Sequence, residues 1–179
     1  MWCWGRNTTG HLGLGAGSPQ QVRVPTQVGT DSDWSLVRAS QNSTCALKTN
    51  GSLWCWGDSF FDPIGQRAIL TPERVGTDTD WVTVEIETFS VCGVKATGQL
   101  WCWGRNDEGQ LGLGNNQSMY TPQQVAHADG GTWRGVGVGR FFHCAVDSAH
   151  DLFCTGENLA GQLGLGDTMR RNVLTPVTF

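Results

Sequence analysis

The sequence predicts an all-β fold, a partial β-propeller built from four-stranded antiparallel blades. Three observations support this: an aromatic-cysteine motif repeats with a period near 50 residues, short segments alternate as strands do, and helical periodicity is missing. Cysteines at corresponding points of the repeat are 52, 47 and 52 residues apart, at Cys3, Cys55, Cys102 and Cys154. Such periods are typical of propeller blades, which pack radially and hide their sheet edges.

Each repeat supplies four short strands, which we name A to D in chain order. In the first complete set, strand A is predicted over residues 34–39, where a tryptophan starts a period-two pattern. Strands B and C are predicted over 44–48 and 53–56. Strand D, over 72–75, opens with Pro72, and a proline at the first position of an edge strand loses no needed hydrogen bond.

The order of strands divides the chain into a half blade and three blades. Residues 1–29 hold strands C and D, and complete blades follow over 30–76, 77–126 and 127–179, all in one propeller domain. Three and a half blades cannot close a ring. We therefore expect a truncated propeller that other repeats or other copies complete.

The repeat resembles a known family. The order CAL-x-x-x-G-x-LWCWG-x-N-x-x-GQLGLG, followed by P-x-x-V, is similar to the regulator of chromosome condensation repeat over essentially the whole chain, with its best copies at 92–125 and 144–177. Members of that family form seven-bladed propellers, so the resemblance implies about half of such a ring. They include a nuclear exchange factor for a small GTPase and a secreted bacterial inhibitor of β-lactamases, so the fold implies no single function.

Six of the seven cysteines form pairs ten residues apart in sequence. If residues 49–51 close the B–C hairpin with Gly51 left-handed, Cys45 faces Cys55 directly, at a Cα separation of about 4.5 Å that a disulfide accepts. The same register gives Gly98 and His150 the equivalent role. We predict three disulfides, with free buried thiols as the alternative: Cys45–Cys55, Cys92–Cys102 and Cys144–Cys154. Cys3 is expected to be unpaired or to have its partner outside this chain.

Three disulfides would place the protein outside the cytosol, so we expect an extracellular, periplasmic or cell-surface setting. Zinc is disfavoured, and no metal is expected, because these pairs lack neighbouring ligands at the usual spacing. The net charge is -4 with no long basic run, which argues against nucleic acid as a partner. No apolar segment approaches the length of about 20 residues that membrane insertion needs.

Catalytic residues are not predicted, so we expect a protein that is not an enzyme. The four histidines fall at unrelated phases of the repeat, and no nucleophile recurs beside one in sequence. The GLG runs lack the Lys-Ser/Thr of a phosphate loop, so no cofactor is expected. Trp54 and Trp56 share one face of strand C, where packing between blades is favoured over stacking on a sugar.

Strand parity predicts a binding face. In an up-and-down blade the A–B and C–D loops emerge on one side, and these loops vary between repeats while the B–C hairpins do not. Aromatic and arginine residues on such loops favour protein binding, although Phe89 and Phe141 could instead plug the central channel. The candidate binding residues are Gln41, Asn42, Phe60, Phe61, Phe89, Arg140 and Phe141.

The sequence therefore favours a non-catalytic protein-binding propeller module. Three alternatives remain open: a glycan-binding propeller, a structural or filament-forming repeat subunit, and a guanine-nucleotide exchange factor for a small GTPase.

Overall fold

Antiparallel strands make up the regular structure of this protein. The computed structural model describes residues 1–58 and 68–179, and within them it contains fourteen strands and no helix. The strands are β1 (Trp2–Arg6), β2 (Gln21–Gln27), β3 (Trp34–Ala39), β4 (Ser43–Lys48), β5 (Leu53–Gly57), β6 (Ile69–Arg74), β7 (Trp81–Glu87), β8 (Ser90–Lys95), β9 (Leu100–Gly104), β10 (Met119–Val125), β11 (Trp133–Val138), β12 (Phe142–Asp147), β13 (Leu152–Gly156) and β14 (Arg171–Pro176).

These strands form one two-stranded sheet, β1-β2, and three four-stranded sheets in which each strand pairs with the next along the chain. The four-stranded sheets are β3-β4-β5-β6 (blade 1), β7-β8-β9-β10 (blade 2) and β11-β12-β13-β14 (blade 3), each running from strand A to strand D. The all-β propeller architecture predicted from the sequence is therefore confirmed. No helix in the described ranges could cross a membrane.

Strand D of blade 1 begins earlier in the chain than the sequence predicted. It begins at Ile69 in blade 1, three residues before Pro72. The pairing runs from Gly57–Ile69 to Cys55–Glu73, so the proline lies in an irregular stretch of this outer strand. A bulged edge strand tolerates proline because no regular ladder bond depends on its missing N–H.

The hydrophobic core lies between neighbouring sheets. Val84 and Val91 of blade 2 pack with Leu53 and Trp56 of blade 1, and all four side chains are fully buried. A second cluster joins blades 2 and 3 in the same way, with Leu100, Trp133 and Phe153 among its members. Because both clusters lie between neighbouring sheets, the interfaces between blades hold much of the buried apolar surface.

Candidate functional site

The B–C hairpins bring the cysteines together. Gly51 and Gly98 take left-handed backbone conformations with φ of 76° and 78°, and His150 does so in the third hairpin with φ of 73°. This geometry sets the register in which paired cysteines face each other. The three predicted pairs lie at disulfide distance, with Cα separations of 4.1, 4.2 and 4.1 Å for Cys45–Cys55, Cys92–Cys102 and Cys144–Cys154.

Cys3 lies outside these pairs and is partly buried. Burial raises the pKa of its thiol above the ordinary value, which keeps the thiol protonated and weakly reactive near neutral pH.

Three of the glycine-rich C–D loops are each held by a buried asparagine. Asn106 Oδ1 accepts a hydrogen bond from the Leu111 amide at 2.9 Å, while its Nδ2 donates to the carbonyls of Asn115 and Gln117 at 2.9 and 3.0 Å. Equivalent bonds join Asn7 to Leu12 and Asn158 to Leu163, both at 3.0 Å. In each of these loops, one asparagine side chain therefore holds the loop backbone in place through hydrogen bonds.

The loops built on Asn7 and Asn106 pack against the following blade. The carbonyl of His11 accepts hydrogen bonds from Trp56 Nε1 at 2.9 Å and from Thr44 Oγ1 at 2.8 Å. Between blades 2 and 3, Thr155 Oγ1 donates to the carbonyl of Gly109 at 2.9 Å. Trp56 is fully buried by this contact, which confirms that the second tryptophan of the motif fills space between repeats.

The first tryptophan of the motif meets a lysine on the side of the B–C hairpins. Lys48 Nζ lies 5.0 and 4.8 Å from the ring centroids of Trp34 and Trp54, and 2.7 Å from Asp31. The hydrogen bond that Lys48 donates to the Asp31 carboxylate raises the pKa of the ammonium group. Because the ammonium group covers both rings, a sugar would have to displace it in order to stack there.

A histidine lies between blades 2 and 3 beside a cysteine pair. His143 Nε2 is 2.9 Å from Ser90 Oγ, and its Nδ1 is 3.2 Å from Cys92 Sγ. Burial lowers the pKa of His143 to about 3, so the imidazole is neutral at neutral pH. The ligand atoms of Cys92, Cys102 and His143 all lie within 4.8 Å of one another. This group was not predicted from the sequence, because His143 is far from both cysteines along the chain.

On the side of the A–B and C–D loops, two aromatic rings stack across the boundary between blades 2 and 3. Phe89 and Phe141 lie with ring centroids 6.3 Å apart and planes 16° from parallel. The guanidinium of Arg105 is 5.4 and 5.7 Å from the two rings, and that of Arg140 is 5.7 and 5.1 Å from them. We call Phe89, Arg105, Arg140 and Phe141 the arginine-aromatic cluster.

Backbone hydrogen bonds explain this placement. The carbonyl of Phe89 accepts from the Arg105 amide at 2.8 Å, and the carbonyl of Phe141 accepts from the Glu157 amide at 2.8 Å. The A–B loop of a blade is thereby tied to the first residue of its C–D loop. Arg105 was not among the predicted binding residues, although its position directly after the Trp-Cys-Trp-Gly motif puts it on the same side as the A–B loops.

The other candidate binding residues have different surroundings. Gln41 is exposed, and Asn42 is partly buried, with its carbonyl accepting from Thr9 Oγ1 at 2.8 Å and from the Asp58 amide at 3.0 Å. Phe60 and Phe61 lie outside the described residues. The described candidates thus comprise a polar pair in blade 1 and the stacked rings with Arg140 between blades 2 and 3.

Sheet order, blade packing and repeated loops define a β-propeller of tandem repeats. The protein-family model for the regulator of chromosome condensation (RCC1) repeat matches residues 1–47 and 97–146, and a second model of that repeat matches 35–61. The chain belongs to the RCC1 repeat family.

Curated relatives match part of the chain. A mouse secretion-regulating guanine nucleotide exchange factor is 41% identical over 64 residues, which are 35% of this chain and 14% of that protein. The human X-linked retinitis pigmentosa GTPase regulator is 34% identical over 74 residues, 41% of this chain and 7% of that protein. The chain therefore matches only a small part of the length of these relatives.

Solved structures share the fold over nearly the whole chain. Human WBSCR16 superposes with a TM-score of 0.85 at 19% identity, covering 99% of this chain and 48% of that one. Prp20p from Saccharomyces cerevisiae, described together with its binding to Gsp1p and histones, gives 0.81 at 17% identity and covers 99% and 46%. At these identities the likeness establishes the fold alone.

Proposed function

We propose that this RCC1-type propeller is a non-catalytic protein-binding module that contacts its partner through the side formed by the A–B and C–D loops. The observation that carries the proposal is the arginine-aromatic cluster. Arg140 is exposed and Phe141 is half-buried, so both can contact a partner without unfolding the blade. Arginine and aromatic side chains are enriched among the residues that contribute most to protein interfaces.

The cluster also suggests what the partner presents. The guanidinium of Arg140 favours a carboxylate, and the stacked rings favour an apolar side chain next to it. Gln41 and Asn42 extend the proposed surface toward blade 1. Relatives in this fold support a protein partner, since Prp20p is described with Gsp1p and histones and yeast RCC1 was solved bound to Kap60.

The proposed setting is an oxidising compartment, such as the extracellular space, the periplasm or the cell surface. Three opposed cysteine pairs support it, because disulfides persist where thiols are not kept reduced.

Photo-crosslinking tests the proposed face. A photoreactive phenylalanine analogue replaces Phe141 in one variant and the exposed Val82, near the start of strand A in blade 2, in another. We expect a partner adduct only from position 141.

Once the partner is identified, its affinity for substituted chains tests the same face. F89A/F141A and R140A should each weaken binding at least tenfold, whereas V82A and the matched arginine control R134A should not. Equal adducts from both positions, or unchanged affinity in folded variants, would place the interface elsewhere.

A second candidate function is guanine-nucleotide exchange on a small GTPase, which the mouse exchange-factor relative favours. Release of a fluorescent guanine nucleotide from a panel of small GTPases tests it directly. Acceleration that R140A abolishes would make exchange the activity of this face.

A further inference from the structure

We propose that, once the Cys92–Cys102 disulfide is reduced, Cys92 Sγ, Cys102 Sγ and His143 Nδ1 bind one Zn²⁺ ion between blades 2 and 3. The three groups are buried, and their ligand atoms already lie within 4.8 Å of one another. Two thiolates and one imidazole are the ligand types that zinc prefers, and a tetrahedral ion then has one position left for water.

The orientation of the histidine supports this assignment. Ser90 Oγ is 2.9 Å from Nε2, which directs Nδ1 toward Cys92 Sγ at 3.2 Å. A histidine that ligates a metal through one nitrogen is usually fixed by a hydrogen bond at the other. The ring is therefore oriented toward the sulfur atoms before any ion arrives.

The neighbouring interface lacks this arrangement. Val91 pairs with Trp103 as His143 pairs with Thr155, so valine takes the histidine's place between blades 1 and 2. Ser43 is the counterpart of Ser90 there, and its buried hydroxyl finds no hydrogen-bond partner among the described residues. The Cys45–Cys55 pair thus provides an internal comparison that has the cysteines but not the histidine.

Reduction of the Cys92–Cys102 disulfide requires an external reductant. A dithiol or a phosphine supplies two electrons, and two protons complete the conversion of the disulfide into two thiols. Binding of Zn²⁺ then releases these two protons, because the metal ligand is the thiolate. The disulfide and the zinc site are mutually exclusive states of one cysteine pair, and a chain that has not yet been oxidised is in the state that can take the ion.

Cobalt substitution tests the proposal on the full chain, in a C3S background that removes the seventh thiol. The phosphine-reduced protein is titrated with Co²⁺ and then with Zn²⁺. We expect one ion per chain, visible d–d bands of tetrahedral cobalt, a thiolate-to-cobalt charge-transfer band, and bleaching by zinc. The oxidised protein should show none of these. H143V, which copies the neighbouring interface, should lose the bands, and S90A should bind about tenfold more weakly because its histidine is less well oriented.

Some variants could unfold when they are reduced, so the effect of Zn²⁺ on folding is measured as well. Far-ultraviolet circular dichroism should show Zn²⁺ restoring or stabilising the reduced parent but neither H143V nor C92S/C102S. The proposal is overturned if the reduced parent binds no more metal than C92S/C102S, or if H143V binds as tightly and with the same spectrum.

Discussion

Asn106 Oδ1 accepts the backbone amide of Leu111 at 2.9 Å, and this bond organises the loop that blade 2 presents to blade 3. Asn106 is completely buried, so water cannot replace its bonds. We expect N106A to lower the free energy of unfolding by about 3 kcal/mol, since it leaves one amide and two carbonyls without partners. Urea unfolding followed by tryptophan fluorescence measures this loss. The exposed N116A is the matched control and should change stability by less than about 0.5 kcal/mol; equal effects of the two changes would contradict this role.

The cysteine pairs predict which peptides are linked by disulfides. Peptide mapping without reduction should recover Cys45–Cys55, Cys92–Cys102 and Cys144–Cys154 as linked peptides, with Cys3 open to alkylation after unfolding. Removing one bridge in C144A/C154A should cost about 3 kcal/mol, because it frees a loop of about ten residues in the unfolded chain. Six free thiols in protein purified under oxidising conditions would overturn both the pairing and the proposed compartment.

His143 makes stability depend on pH. Its pKa falls from 6.5 to about 3 on folding, because burial disfavours the charged ring. Between these values the unfolded chain binds one proton more than the folded chain, so stability from this group is complete above about pH 6.5 and declines as the pH falls toward 3. From pH 7.5 to 4.5 the protein should lose about 3 kcal/mol more than H143V loses. Urea unfolding at the two pH values provides the comparison, and equal losses would show that the ring does not stay neutral.

The exposed face of the half blade, the β1-β2 sheet, leads us to expect self-association. Trp4 is 58% exposed, whereas Trp56, its counterpart in blade 1, is completely buried beneath a loop of the preceding repeat. Burying such a ring removes about 150–250 Å² from water, so the 179-residue chain should associate through this sheet with other copies or other repeats. Sedimentation velocity should show concentration-dependent association that W2S/W4S reduces. A monomer with the scattering envelope of a closed ring would show the blade count to be wrong.

Much of this fold could be predicted because the repeat encodes it locally. A ten-residue cysteine spacing with a glycine or His150 at the turn determines the hairpin register, and hence the opposition of Cys45 and Cys55. Alternation along strand C likewise placed Trp54 and Trp56 on one face. These are relationships within one sheet, where sequence distance and spatial distance correspond closely.

Contacts between sheets were harder to predict. His143 and Ser90 are 53 residues apart, and nothing in the sequence near either residue encodes their hydrogen bond. It depends on how two blades align, which is set by packing along the whole interface. Arg105 was not predicted because the predicted binding residues came from the A–B loops and from the C–D loop of blade 1, whereas Arg105 begins the C–D loop of blade 2. The early start of strand D was missed for a local reason, since a bulge accommodates Pro72 inside the strand.

The family repeat and the blades are out of phase, and this affects how such an array can grow. The match over residues 1–47 starts at strand C of one sheet and ends in strand B of the next. The repeat over residues 97–146 therefore carries one cysteine that pairs with an earlier residue, Cys102 with Cys92, and one that pairs with a later residue, Cys144 with Cys154. A gene duplication that inserts one whole repeat adds both kinds at once. When the array gains or loses whole repeats, the number of cysteines therefore changes in pairs. Every cysteine inside the array keeps a disulfide partner.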